Sequence, residues 1–133
     1  MARPDDAERL FRKGVHCGRS IVLTYGAALG LDENAVLDAA STISGEIGHG
    51  PGRCGAIEGA CLLLSRAPAL GANRVQHFID RFSIRFGSVD CETLLGHSMG
   101  TREDRAEVRS EGLIEDRCPE FVRATGEVLE EML

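Results

Sequence analysis

The stretch GPGRCGAIEGACLLLS, from Gly50 to Ser65, decides how this chain folds. Glycine and proline at its start favour a loop, and the residues that follow are small or aliphatic at helical spacing. The predicted helix is apolar on almost every side, and a helix of that kind is buried by its neighbours. We therefore expect it to be the central helix of the fold. Its apolar positions include Ala56, Ile57, Ala60, Cys61 and Leu64.

Helical periodicity continues on both sides of this segment, and the alternating pattern typical of strands is missing. No linker is long enough to separate two domains. The sequence predicts one compact all-α domain over residues 1–133, a bundle of about six or seven helices. The charged segment GTREDRAEVRSEG is expected to be a solvated loop or an exposed turn of helix. Helices are expected to end at Gly14, Gly30 and Gly87, and to start near Asp5 or Asp6, Asp32, Cys54, Cys91 and Cys118.

The composition excludes several classes of protein. The net charge of −6 over 133 residues leaves no basic face for sequence-independent nucleic-acid binding. The N-terminus lacks the apolar region of a signal peptide, and the longest apolar runs are too short to cross a bilayer. We therefore expect a cytoplasmic protein without nucleic-acid binding or membrane insertion. In that compartment its five cysteines should be reduced thiols rather than a disulfide framework.

Four of the five cysteines fall at predicted helix N-termini: Cys17, Cys54, Cys91 and Cys118. Cys118 precedes Pro119, which is favoured as a first helical residue, so Cys118 is the expected N-cap of the last helix. The free N–H groups at a helix start favour an anion, and a thiolate is one. This placement predicts thiol pKa values below the free value of about 8.5. Thiolates bind metals and carry out thiol–disulfide exchange, so at least two of these cysteines are expected to act together.

Cys61 differs from the other four. It follows Cys54 by seven residues, which places it about 10 Å further along the same helix. Two sulfurs at that separation are a poor pair for one small metal centre. We interpret Cys61 as a small core residue.

The cysteines and their flanking residues resemble the C_GCAxxG_C_C family of redox-active proteins. CGAIEG, from Cys54 to Gly59, matches a CGAxxG motif, with Cys17 upstream and Cys91 and Cys118 downstream. The resemblance covers nearly the whole chain, and a similar domain forms part of the split-Soret cytochromes. It implies that these four cysteines are the functional thiols and that Cys61 stands outside the pattern. The chain departs from its relatives at His16, where they tend to have Asn, and in its glycine-rich loop, which Glu46, His49 and Pro51 interrupt.

Three functions remain open at this point. The four cysteines can form one site that binds an iron–sulfur cluster or another metal centre for electron transfer, and iron–sulfur is favoured because the short ligand spacings of zinc sites are absent. They can also serve as a metal-free thiol–disulfide redox protein, or merely pack inside a helical binding module. Gly55, Gly59 and His49 are expected beside a bound cofactor, since glycines permit close approach and histidine can orient or ligate. The expected partner is a redox partner of unidentified class, and a homodimer is compatible with the sequence.

Overall fold

The computed structural model describes residues 3–41 and 53–133 of the chain. The described residues form eight α-helices, a short 3-10 helix at Pro68–Leu70 and no strand, so the all-α prediction is confirmed with slightly more helices than expected. None of these helices combines the length and the apolar character needed to cross a bilayer. The helices are α1 Arg3–Arg12, α2 Cys17–Tyr25, α3 Glu33–Ser41, α4 Gly55–Ser65, α5 Arg74–Phe86, α6 Cys91–Leu95, α7 Arg102–Ser110 and α8 Leu113–Met132.

Several helix boundaries follow the local signals in the sequence. The Asp32 carboxylate accepts a hydrogen bond of 2.8 Å from the backbone N–H of Ala35, which caps the start of α3. Gly87 ends α5 in the left-handed conformation, at a φ of 80°. Other boundaries differ from expectation: α2 ends at Tyr25 and is followed by turns up to Gly30. The charged segment contains a regular helix, α7, whose one buried residue is Val108.

The α4 helix lies at the centre of the bundle, as predicted. It packs against α2, α3, α5 and α8. Most of its residues are buried, and the core around it consists mainly of aliphatic side chains and phenylalanine. The buried residues of α4 are Gly55, Ala56, Ile57, Gly59, Ala60, Leu63 and Leu64.

Two glycines allow α2 and α4 to cross with their backbones in contact. A Cβ atom added at Gly59 would lie 2.5 Å from the carbonyl oxygen of Gly18. Real side chains do not tolerate such a distance, so Gly59 is needed for this crossing. Because Gly18 directly follows Cys17, the crossing also fixes the start of α2 beside α4.

The long helix α8 spans the bundle and differs most from expectation. It was predicted to begin at Cys118 with Pro119 as its first residue, and that prediction is wrong. The helix begins at Leu113, so Pro119 lies inside it and Cys118 is not its N-cap. A proline inside a helix costs about 3 kcal/mol, because it removes a backbone hydrogen bond and crowds the preceding turn. Burial of Pro119 and the following apolar residues against α1, α2 and α5 offsets this cost.

A buried hydrogen bond ties α2 to α8. The Tyr25 hydroxyl is fully buried and donates to the carbonyl oxygen of Gly126 over 3.0 Å. A Cβ atom at Gly126 would lie 2.8 Å from that hydroxyl oxygen and 3.1 Å from the Cα atom of Pro4, so a side chain there would force the buried tyrosine to move. Together these contacts hold α2 between α4 and α8.

We expect Gly59→Ala to lower the free energy of unfolding by about 1–3 kcal/mol, because the new methyl group would overlap the Gly18 backbone. Urea unfolding followed by circular dichroism measures this change. Gly100→Ala is the matched control, since its Cβ would meet nothing nearer than 4.0 Å; it should stay within about 0.5 kcal/mol of the natural protein. Equal stability of the Gly59→Ala variant and the natural protein would contradict the close crossing.

Candidate cysteine redox site

The four cysteines singled out in the sequence all lie in the interior. Their side chains are between 2% and 5% exposed. None of them is in a disulfide. They come from four different helices: Cys17 from α2, Cys54 from the start of α4, Cys91 from α6 and Cys118 from α8.

Cys17 is the first residue of α2, and the residue before it caps that helix. The backbone N–H of Gly18 donates to Nδ1 of His16 over 3.0 Å. The same ring nitrogen lies 4.0 Å from the Sγ atom of Cys17. Because Nδ1 accepts a hydrogen bond, the neutral imidazole carries its proton on Nε2. His16 thus orders the start of α2 and contacts the first thiol.

A short backbone bridge joins the segments that carry Cys54 and Cys91. Arg53 and Asp90 form an isolated antiparallel bridge. Beside it, the backbone N–H of Cys54 donates to the carbonyl of Val89 over 2.8 Å. Each bridging residue immediately precedes a cysteine at a helix start. The bridge therefore holds the beginnings of α4 and α6 together.

Burial raises the pKa of all four thiols. It is the largest influence on each of them, and it raises the pKa of Cys91 to about 12. The N–H groups of Ala56 and Ile57 lower the pKa of Cys54, although its sulfur forms no regular capping hydrogen bond, and burial outweighs them. The prediction of lowered thiol pKa values is therefore wrong, because desolvation of the charged sulfur exceeds the effect of the helix start.

The four thiols also act on one another. A charge on Cys54 raises the pKa of Cys17, Cys91 and Cys118. A charge on Cys91 raises the pKa of Cys17 and Cys118, and a charge on Cys118 raises that of Cys17. All six pairs among the four cysteines are thus within electrostatic range. Burial, with this mutual repulsion added to it, keeps the thiols protonated, and a cation placed among them would relieve the repulsion.

The spacing of the sulfur atoms limits what they can bind in this arrangement. Within the described residues, no three cysteine sulfurs all lie within 4.8 Å of one another. Tetrahedral zinc with Zn–S bonds of about 2.3 Å would hold its sulfurs only about 3.8 Å apart. The site is therefore wider than a preassembled mononuclear zinc site, and a centre containing several metal ions spans such a gap more readily.

The residues expected beside a cofactor have different placements. Gly55 is the first residue of α4 and is buried. Gly59 faces the Gly18 backbone, so its close contact is with α2. His49 lies outside the described residues. The structure thus gives Gly59 a packing role that the motif alone did not reveal.

Cys61 lies apart from the four coupled thiols. Its side chain is half-buried against the core, and its electrostatic neighbours are Arg53 and Glu58. An N–H of the Arg53 guanidinium lies 3.3 Å from the Cys61 sulfur, and Arg53 also pairs with Glu58 at 3.0 Å. Burial raises the pKa of Cys61, while the guanidinium acts in the opposite direction. This placement agrees with the interpretation of Cys61 as a packing residue outside the site.

One cluster of potential metal ligands was missed by the sequence reasoning. The ligand atoms of His97, Glu107 and Glu111 all lie within 4.8 Å of one another at the surface. A hydrogen bond with the Ser98 carbonyl raises the pKa of His97, and the negative charge of the nearby Glu107 raises it further. The sequence does contain one indication of this cluster, the four-residue spacing of Glu107 and Glu111. That spacing brings the two side chains together only where the segment is helical.

Comparison with known proteins agrees with the cysteine pattern. No curated protein and no solved structure matches the chain at a significant level. Residues 15–132 match the family C_GCAxxG_C_C, described as "Putative redox-active protein". In this chain the first two motif positions are Cys54 and Gly55, the reverse of the order in the family name. The match includes all four buried cysteines and most of the chain, and the protein belongs to the C_GCAxxG_C_C redox-active family.

Proposed function

We propose that Cys17, Cys54, Cys91 and Cys118 form one site that holds an iron–sulfur or other metal centre and transfers electrons. The single observation that carries this proposal is that four cysteines from four helices are buried together in the interior. The pKa shifts agree with it, because a charge on one thiol raises the pKa of others. Membership of a redox-active family supports the same site. The proposal gives each cysteine the role of a thiolate ligand.

The electrostatics favour a metal centre over metal-free thiol chemistry. Thiol–disulfide exchange needs an accessible thiolate. These thiols are almost fully covered, and their raised pKa values keep them protonated at neutral pH. A metal cation would displace the four protons and balance the thiolate charges. The low exposure would then protect the bound centre from solvent.

The helix starts have a second role under this proposal. Cys17 and Cys91 begin α2 and α6, and Cys54 caps α4. The N–H groups of Gly18, Ala56 and Ile57 already lower the pKa of the thiols they face. Around a metal centre, the same groups would stabilise the extra negative charge of the reduced state.

Two alternatives make different demands on the site. A dithiol mechanism requires at least two of the sulfurs to come within disulfide distance and to become accessible. A helical binding module requires only that the cysteines pack, and it predicts that replacing them by similar small residues changes stability alone. Binding of a metal by the four cysteines together separates the main proposal from both.

Protein purified without oxygen should contain iron, and the Cys54→Ser variant should lose most of it. Removing one ligand takes away one metal–sulfur bond and one of the negative charges that balance the metal, so we expect the affinity for iron to fall by roughly tenfold or more. Iron and acid-labile sulfide are measured chemically, alongside the visible absorption spectrum.

Cys61→Ser is the matched control, because Cys61 lies outside the coupled set. It should retain the iron content and spectrum of the natural protein. The same loss should follow from serine at Cys17, Cys91 or Cys118. Metal-free natural protein, or equal iron in the Cys54→Ser and Cys61→Ser variants, would contradict the four-cysteine site.

The metal-free protein should become less stable as the pH rises from about 8 to about 9.5, a range below the ordinary pKa of tyrosine at about 10. Burial raises the pKa of the folded thiols above the unfolded value of about 8.5, and that of Cys91 to about 12. The raised thiol pKa stabilises the folded protein in full when the pH is below the thiol pKa of the unfolded chain. This stabilisation is lost as the pH rises towards the thiol pKa of the folded protein. Each such thiol contributes a slope of about 1.4 kcal/mol per pH unit at most.

Urea unfolding of metal-free protein at several pH values tests this expectation. Cys91→Ala should show a shallower decline than the natural protein, because one raised thiol pKa has been removed. Cys61→Ser keeps the four coupled thiols and should retain most of the slope. A free energy of unfolding that does not change over this range would contradict the buried, protonated state of the thiols.

A further inference from the structure

The end of α7 carries negative charge where a helix disfavours it. Glu107 lies near the end of α7, and Glu111 is its C-cap. The carbonyl groups at a helix C-terminus carry partial negative charge, so they repel carboxylates placed there. The two glutamates are also four residues apart along the helix, a spacing at which like charges repel each other. A cation close to both carboxylates would relieve both repulsions.

One histidine lies beside these two carboxylates. His97 comes from the segment between α6 and α7, and its side chain is 20% exposed. Its Nε2 atom lies 3.6 Å from a carboxylate oxygen of Glu107. One ligand atom from each of the three side chains lies within 4.8 Å of the other two. Among the described residues, Glu107 forms one ion pair, the one with His97, and Glu111 forms none.

The other ring nitrogen of His97 determines which lone pair is available for a ligand bond. Nδ1 lies 2.7 Å from the backbone carbonyl oxygen of Ser98. A carbonyl oxygen can only accept a hydrogen bond, so Nδ1 carries the proton. In the neutral ring, Nε2 then holds a lone pair next to the Glu107 carboxylate, and two acceptors facing each other need a cation between them. Histidines that bind metals typically donate their other ring N–H to a carbonyl in this way.

The donor set fits a divalent transition-metal ion. Imidazole nitrogen and carboxylate oxygen both bind zinc, which in open sites takes three protein ligands and keeps a fourth position for water. Ligand atoms about 2.0–2.1 Å from a tetrahedral zinc ion lie about 3.4 Å from one another. The 3.6 Å between His97 and Glu107 is close to that spacing, and the exposed Glu111 side chain is free to move closer. Calcium and magnesium prefer oxygen ligands alone, so the imidazole disfavours them.

We propose that His97, Glu107 and Glu111 form a surface site that binds a divalent transition-metal ion of the zinc class. The site shares no residue with the four cysteines and does not depend on the function proposed for them. The bound ion joins the segment before α7 to the end of that helix. Because Val108 is the one buried residue of α7, this link strengthens the attachment of a helix that packing holds weakly.

Binding can be tested by titrating zinc chloride into the protein at neutral pH and following the imidazole nitrogen signals by NMR. We expect the Nε2 signal of His97 to shift, while Nδ1 keeps the signal of a protonated nitrogen. Zinc taken up by the cysteines would instead be seen at His16, which contacts Cys17. His77 on α5 is an exposed histidine and serves as the internal control. Equal responses of His77 and His97, or no response of His97, would mean an adventitious ion only and would overturn the proposal.

A pair of variants on α7 tests the ligand set. Glu111→Gln keeps the size of the side chain but removes one negative ligand, so the affinity for zinc read at His97 should fall by roughly tenfold or more. Glu103→Gln is the matched control, because it makes the same change at an exposed position in the first turn of the same helix. It should leave the affinity unchanged. Both positions are exposed, so neither change threatens folding. Equal zinc affinity in the two variants would overturn the proposal.

Amide hydrogen exchange tests whether the ion stabilises α7. When zinc exceeds its Kd tenfold, the amides of α7 that open only after the ion leaves should exchange about tenfold more slowly. The same amides of the Glu111→Gln variant should show no slowing at that zinc concentration. Unchanged exchange in the natural protein, with His97 bound to zinc, would overturn the link between the two ends of this segment.

Discussion

The close contact between the backbones of Gly18 and Gly59 is the constraint on which much of the structure depends. A Cβ atom at Gly59 would lie only 2.5 Å from the carbonyl oxygen of Gly18. This contact lets α2 and α4 pack with touching backbones, and both helices carry a functional cysteine at their start. From α4, the bridge between Arg53 and Asp90 extends the arrangement to α6. From α2, the Tyr25 hydroxyl extends it to α8. The four cysteines come together because the helices that carry them are held in this way.

Gathering four thiols in the interior has an electrostatic consequence. Each sulfur is nearly removed from water, and a charge on one raises the pKa of another. The fold without a cation therefore favours four neutral thiols. A metal centre would reverse this preference, since the thiolates that repel one another would then be neutralised by a common cation. The same burial that opposes exchange with dissolved thiols suits an electron-transfer centre shielded from solvent.

Local signals in the sequence predicted the parts of the fold that depend on local physics. The Asp32 cap and the glycine end of α5 are confirmed, because capping involves only neighbouring residues. The start of α8 was wrong, because Pro119 normally marks a first turn and only packing against other helices outweighs that preference. Lowered thiol pKa values were expected from helix starts alone. Burial reversed the direction, and the extent of burial depends on the complete fold.

The candidate site also combines features that local sequence predicts with features that depend on the complete fold. The positions of the four cysteines along the chain predict one shared site without Cys61. The structure buries all four, and the electrostatic neighbours of Cys61 are Arg53 and Glu58. The bridge between Arg53 and Asp90 and the contact between Gly18 and Gly59 join residues far apart in sequence, so no local pattern reveals them. Gly59 is expected beside a cofactor because glycine permits close approach, and the structure shows its close contact with the Gly18 backbone of α2.

We propose that sulfur atoms from four helices would hold one metal centre. X-ray absorption at the iron edge, on protein isolated without oxygen, tests it most directly because it identifies the atoms bound to the metal. We expect iron surrounded by sulfur, with scattering from a second iron nearby. Nitrogen and oxygen as the main ligands, as the surface group of His97, Glu107 and Glu111 would supply, would contradict it.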